Sequence, residues 1–98
     1  MTTREIRFAA GADDDLVRLY EFLAEKDLDA AEKALGTIRH ALMMAAAFPF
    51  SCRKAGNVGW LRECVIPFSH AGYVAAFEIA DDHIVVLAVR HQREDDFH

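Results

Sequence analysis

Leu61-Arg62-Glu63-Cys64-Val65-Ile66-Pro67-Phe68, then Gly72-Tyr73-Val74-Ala75-Ala76-Phe77, then Val85-Val86-Leu87-Ala88-Val89-Arg90-His91-Gln92-Arg93: the reading of these three stretches decides the fold. Apolar runs separated by turn residues predict a three-strand antiparallel meander over about 60–66, 72–79 and 83–90. Pro67 is expected to stop the first strand, and Asp81-Asp82 forms the second turn. The last run is apolar on both faces, which places it inside a sheet. It ends in Arg90-His91-Gln92-Arg93, so polar groups stand at the rim of a rigid element, where function is often carried. Along 72–79, Tyr73, Ala75, Phe77 and Ile79 share one face, while Val74, Ala76 and Glu78 share the other. Arg90 and His91 leave opposite faces if the strand persists that far.

Upstream, Glu5-Ile6-Arg7-Phe8-Ala9 alternates and reads as a first strand, broken by Gly11-Ala12. Asp13-Asp14-Asp15 then reads as a helix start, because the helix dipole favours negative charge in the first turn. A metal site there is not indicated, since consecutive helical residues point in different directions. A helix over about 13–26 buries Leu16, Leu19, Tyr20 and Leu23 at helical spacing. Asp29 and Glu32 resemble a capping box for a second helix over about 30–47, whose face is Ala31, Ala34, Leu35, Ile38, Leu42 and Ala45. Met43-Met44 reads as core filler, with an adaptable contact surface as the alternative. Pro49 ends the helix, and 48–59 reads as a loop carrying Arg53 and Lys54. Trp60, at the loop boundary, reads as a lid on the core, with an exposed anchor for a partner as the alternative. A short turn between amphipathic helices implies an antiparallel hairpin. The fold expected is α+β in two layers, β-α-α-β-β-β, with the helical hairpin on one face of a small, mostly antiparallel sheet.

The chain has 98 residues, which predicts one domain spanning 1–98. There is no apolar run long enough for a membrane span and no signal-like start, so a cytoplasmic protein is expected. Cys52 and Cys64 do not make a disulfide framework, and Cys64 reads as a small buried hydrophobe. The histidines His40, His70, His83, His91 and His98 lack metal-ligand spacing, and no cofactor is indicated. Net charge is −5, unevenly spread: 1–32 carries nine acids against four bases, 33–77 one against five, and 78–98 six against two. This excludes a uniformly basic nucleic-acid binder and leaves a local positive patch on an acidic body. The tail, Glu94 to His98, is acidic and expected to fray.

These residues together resemble the RelE/ParE superfamily of bacterial type II toxin–antitoxin toxins, ParE branch (plasmid stabilisation proteins). The carrying features are Asp15-Leu16, Ala30-Ala31, Phe48-Pro49, Leu61-Arg62-Glu63, Gly72-Tyr73-Val74 and Val89 to Arg93, spread over essentially the whole chain. The resemblance implies a toxin that arrests growth until a cognate antitoxin, encoded beside it, folds its C-terminal segment onto it. The acidic helix hairpin would favour an antitoxin segment carrying Lys and Arg.

Within that superfamily, RelE-like members cut messenger RNA on the ribosome and ParE-like members poison DNA gyrase. Cleavage by a 2′-hydroxyl needs a base, an acid and cations where charge develops. In RelE-like proteins an Arg follows the Gly-Tyr, and lysines sit one strand earlier. Here those places hold Val74 and Val65-Ile66-Pro67. Should the chain be a ribonuclease, Arg62, Arg90 and His91 are its candidates, His91 as base and the arginines on phosphate. The reading adopted is gyrase inhibition by binding, with no catalytic step. Arg62, Tyr73, Arg90, His91 and Arg93 are the expected target or partner contacts, and Arg53 and Lys54 secondary ones. No membrane and no sequence-specific nucleic acid is expected as partner. A module that only pairs with its antitoxin is the third possibility.

Overall fold

The computed structural model describes residues 3–69 and 71–92. Arg93 and the acidic tail therefore lie outside the described residues, as does His70.

Among the described residues, strand β1 (Glu5–Phe8) is followed by helices α1 (Ala10–Ala24) and α2 (Leu28–Ala47), a 3-10 turn (Pro49–Ser51), and strands β2 (Arg53–Ala55), β3 (Val58–Phe68), β4 (Ala71–Ile79) and β5 (His83–His91). The sheet order is β1-β5-β4-β3-β2, with β1 parallel to β5 and all other pairs antiparallel. The expected α+β layering and the interior position of β5 are observed. One strand is added: part of the expected 48–59 loop pairs with β3 as β2. No helix among the described residues is long and apolar enough to cross a membrane.

Several boundaries move for local reasons. Gly11 and Ala12 do not break the chain but lie inside α1, which starts at Ala10, so of the Asp triplet only Asp13 falls in its first turn. The α2 cap is not Asp29 but Asp27, whose carboxylate accepts from the Asp29 and Ala30 amides at 3.0 and 3.3 Å. Pro67 does not stop β3; it pairs with Gly72 one step before the strand's last residue, Phe68, next to the hairpin turn. In that turn Ser69 takes a left-handed φ of 55°.

The helices cover one sheet face. Leu19, Ala34, Ile38, Leu42, Ala45 and Ala46 pack on Ile66, Tyr73, Ala75, Phe77, Ile84, Val86 and Val89. Full burial of Phe77, Ile84, Val86 and Val89 contributes roughly 1.5–3 kcal/mol per side chain. The alanines of α2 bring its backbone close to the sheet. Met43 and Met44 are not core filler, being 55% and 49% exposed, and Trp60 is not a lid, at 53%.

A register shift at Ala76/Phe77 decides what the rim presents. Ala76 faces Ala88 but Phe77 faces Val86, so Leu87 is an extra residue in β5. Ile84 and Val86 point at the helices before it; Val89 does so after it. Regular alternation from Val86 would have turned Ala88 and Arg90 toward the helices.

Candidate partner-binding surfaces

The corner of β2, β3 and the 3-10 turn holds Arg62. Its Nε donates to the Gly59 carbonyl at 3.0 Å, and Nη1 to the Cys52 carbonyl at 3.0 Å with a longer 3.5 Å contact to that of Phe50. Its guanidinium carbon lies 5.2 Å from the Phe50 ring centroid, and that of Arg4 lies 5.9 Å from the same centroid. Pro49 starts the 3-10 turn that carries Phe50, which is 62% exposed. Arg53, opposite Glu63 in register, pairs with its carboxylate at 3.1 Å, while Lys54 is exposed.

The rim at the end of β5 is built differently. β1 stops at Phe8, opposite Val86, so the outer edge of β5 beyond that point lacks a strand partner. Asp15 of α1 fills the place: its Oδ2 accepts from the Val89 amide at 3.0 Å, and Arg18 approaches its other oxygen at 3.7 Å. This gives Asp15-Leu16 a physical role that the sequence does not reveal. Gly72 is required by close approach, since a Cβ there would sit 2.3 Å from the Ile66 carbonyl oxygen. The next residue, Tyr73, is buried at 2% exposure and meets His91 edge-on, with ring centroids 5.5 Å apart. His91 thus faces the helices, and Arg90, paired with Val74, is exposed on the other side.

His91 and Tyr73 border a cleft of about 690 Å³ with Arg18, Leu19, Phe22 and Leu23 of α1 and Lys26 just after it. Arg18 and Lys26 were not singled out by sequence reading. Their eight-residue spacing along a helix shared with Leu19 and Leu23 was the available signal. A second, apolar groove runs between the helices. One section of about 370 Å³ is lined by Ile6, Phe8, Leu16, Leu35, Ile38 and Leu42, with Arg39 at its edge. Another of about 600 Å³ shares Leu16 and Leu35 and adds Asp13, Val17, Tyr20 and Glu21.

The three ribonuclease candidates do not converge. Arg62 lies four positions along β3 from Ile66, which pairs through Tyr73 to His91. That is about 13 Å along and about 10 Å across the sheet. Arg90 leaves the opposite face.

A comparison with curated protein sequences gives no match. Among solved structures, the chain is similar to one of the chromosomal ParDE TA system from P. aeruginosa, at 15% identity and a TM-score of 0.71, covering 91% of this chain and 96% of that one. It is also similar to the solution structure of the conserved hypothetical protein HP0894 from Helicobacter pylori, at 16% identity and a TM-score of 0.57, covering 92% and 96%. At such identities these likenesses speak for the fold. The family model of the ParE toxin of type II toxin–antitoxin system, parDE, matches residues 6–96. With nearly its whole length matched, the chain belongs to the ParE toxin family of type II toxin–antitoxin systems.

Proposed function

We propose that this ParE-family chain arrests growth by binding DNA gyrase, without a chemical step of its own, and that a cognate antitoxin neutralises it. The observation that carries the binding reading is the dispersal of Arg62, Arg90 and His91. Arg62 spends its donors on backbone carbonyls, and Arg90 and His91 face opposite ways. General acid–base work on a phosphodiester needs such groups within hydrogen-bond reach of one reacting centre. Arg90 on the open face is the expected target contact; Lys54, opposite Arg62 in register, lies toward the helix-facing side of the far strand and is a secondary one. Arg93, outside the described residues, is proposed with it from sequence alone.

The antitoxin reading is supported by the groove between α1 and α2. Its apolar floor suits the face of an amphipathic helix, and Asp13, Asp14, Glu21 and Glu25 suit Lys and Arg on that helix's flanks. Phe8 and Val17, 40% and 56% exposed, are its anchors.

The test is a gyrase supercoiling assay with the purified chain, alongside its induction in bacteria. Inhibition in vitro, filamentation and DNA-damage signalling are expected, with rescue by the co-expressed neighbouring gene product. Unimpaired supercoiling at excess toxin would overturn the gyrase reading. The cleft that brings His91 near Lys26 and Arg18 favours one second reading, a RelE-like ribosome-dependent endoribonuclease. Ribosome-stimulated transcript cleavage lost in His91→Ala would establish it.

A further inference from the structure

The corner that holds Arg62 also brings the chain's two cysteines together. Arg53 pairs with Glu63 and Lys54 with Arg62, and continuing that antiparallel register by one position sets Cys52 opposite Cys64. Residues opposite each other share a face. Arg53 and Glu63 meet on one side, and both cysteines pack against the core on the other. Both are free thiols and half-buried. Directly opposed antiparallel residues have Cα atoms roughly 4.5–5.5 Å apart, inside the roughly 4.4–6.8 Å range that a disulfide spans. Cys52 is also held in place, since its carbonyl accepts from Arg62 and its amide donates to the Pro49 carbonyl at 3.3 Å.

We propose that Cys52 and Cys64 form an oxidisable pair, which a peroxide-class oxidant converts into a disulfide stapling the 3-10 turn and β2 to β3. The Cys52 thiolate attacks one peroxide oxygen; the O–O bond breaks and hydroxide leaves, giving a sulfenic acid on Cys52. The Cys64 sulfur, losing its proton, attacks the Cys52 sulfur; the S–O bond breaks and hydroxide leaves, taking that proton as water. Two thiols and one hydrogen peroxide give one disulfide and two waters. Burial, and then the neighbouring Cys52 sulfur, push the Cys64 thiol up to about 11. It therefore stays protonated at neutral pH, which suits it to the resolving role and makes ring closure faster as pH rises. The inference is independent of the target, because it concerns only the chain's own corner.

The experiment treats the full, reduced chain with hydrogen peroxide and reads intact mass, titratable thiols and thermal midpoint. A monomer lighter by two hydrogens, with no remaining thiol, reversed by dithiothreitol, is expected. Closing this short loop should raise the midpoint by roughly 5–15 °C. In Cys64→Ser, dimedone should label Cys52 and no cross-link should form. Should that variant misfold, Cys64→Ala serves the same purpose, and the native chain's mass decides alone. Separate over-oxidation of the two cysteines, intermolecular dimers, or thiols that survive oxidant would each overturn the proposal.

Discussion

Arg62 and Arg90 are both strand arginines that sequence reading offers as contacts, yet the fold treats them oppositely. At the β2–β3 corner, Arg62 is half-buried, turned to the carbonyls of Gly59 and of Cys52 just after the 3-10 turn, and laid on Phe50. At the end of β5, Arg90 is exposed, and the backbone beneath it is held by another residue, Asp15. A guanidinium that satisfies the chain's own carbonyls is structural work. Arg90, exposed at a strand end, is the one proposed to meet a partner's surface. The same residue type thus sits in two settings, one turned to the chain's own carbonyls and one exposed at the rim.

This contrast can be broken experimentally, beginning with the rim's scaffold. Gly72→Ala forces a Cβ against the Ile66 carbonyl and should cost about 3 kcal/mol of stability in urea unfolding. A change below about 0.5 kcal/mol would show that the β3–β4 hairpin yields there. Arg62→Ala should destabilise by about 2 kcal/mol, with growth arrest falling only as the folded population falls. Arg62→Lys should recover only part of this, having no planar fork. Were Arg62→Ala fully stable but non-toxic, Arg62 would be a contact residue and the contrast would fail.

Asp15→Ala removes the acceptor for the Val89 amide, at a cost of about 1.5 kcal/mol, and hydrogen exchange should quicken at Val89 in particular. Arg90→Ala should change stability by less than about 0.5 kcal/mol while lowering growth arrest at least tenfold. Undiminished toxicity would remove the rim as the target contact. The smallest effect lies at the β4–β5 turn. His83 donates to Asp82 at 2.6 Å and holds its carboxyl below the usual carboxylate range. That contribution is present above the ordinary carboxylate pKa and fades as pH falls through the depressed value. Because Asp82 is fully exposed, Asp82→Asn should move the acid-unfolding midpoint barely at all.

Much of the architecture was legible because periodicity reports burial. The alternation of Tyr73, Ala75 and Phe77 and the helical spacing of Ala34, Ile38 and Leu42 placed both layers correctly. Capping was misjudged at α2 because Asp27 and Asp29 are equally plausible in sequence, and only the backbone turn at Asp27, with ψ 108°, selects between them. β2 escaped because three residues, Arg53–Ala55, have no period to read. For Met43, Met44 and Trp60 the exposed alternative holds over the core one, because apolar character does not say which side of an element faces inward.

Side-chain spacing alone dictates the two helices, the first strand, the three-strand meander, the interior place of β5 and the helix-facing stripe, since each follows from periodicity against an apolar core. Tertiary structure alone decided which way the rim side chains point, what Arg62 and Asp15 hold, and that Cys52 meets Cys64. Those outcomes depend on one extra residue at Leu87, on where β1 stops, and on a strand register between distant segments. No local pattern encodes such long-range pairings, because each is settled by which unpaired backbone groups the whole fold leaves to be satisfied.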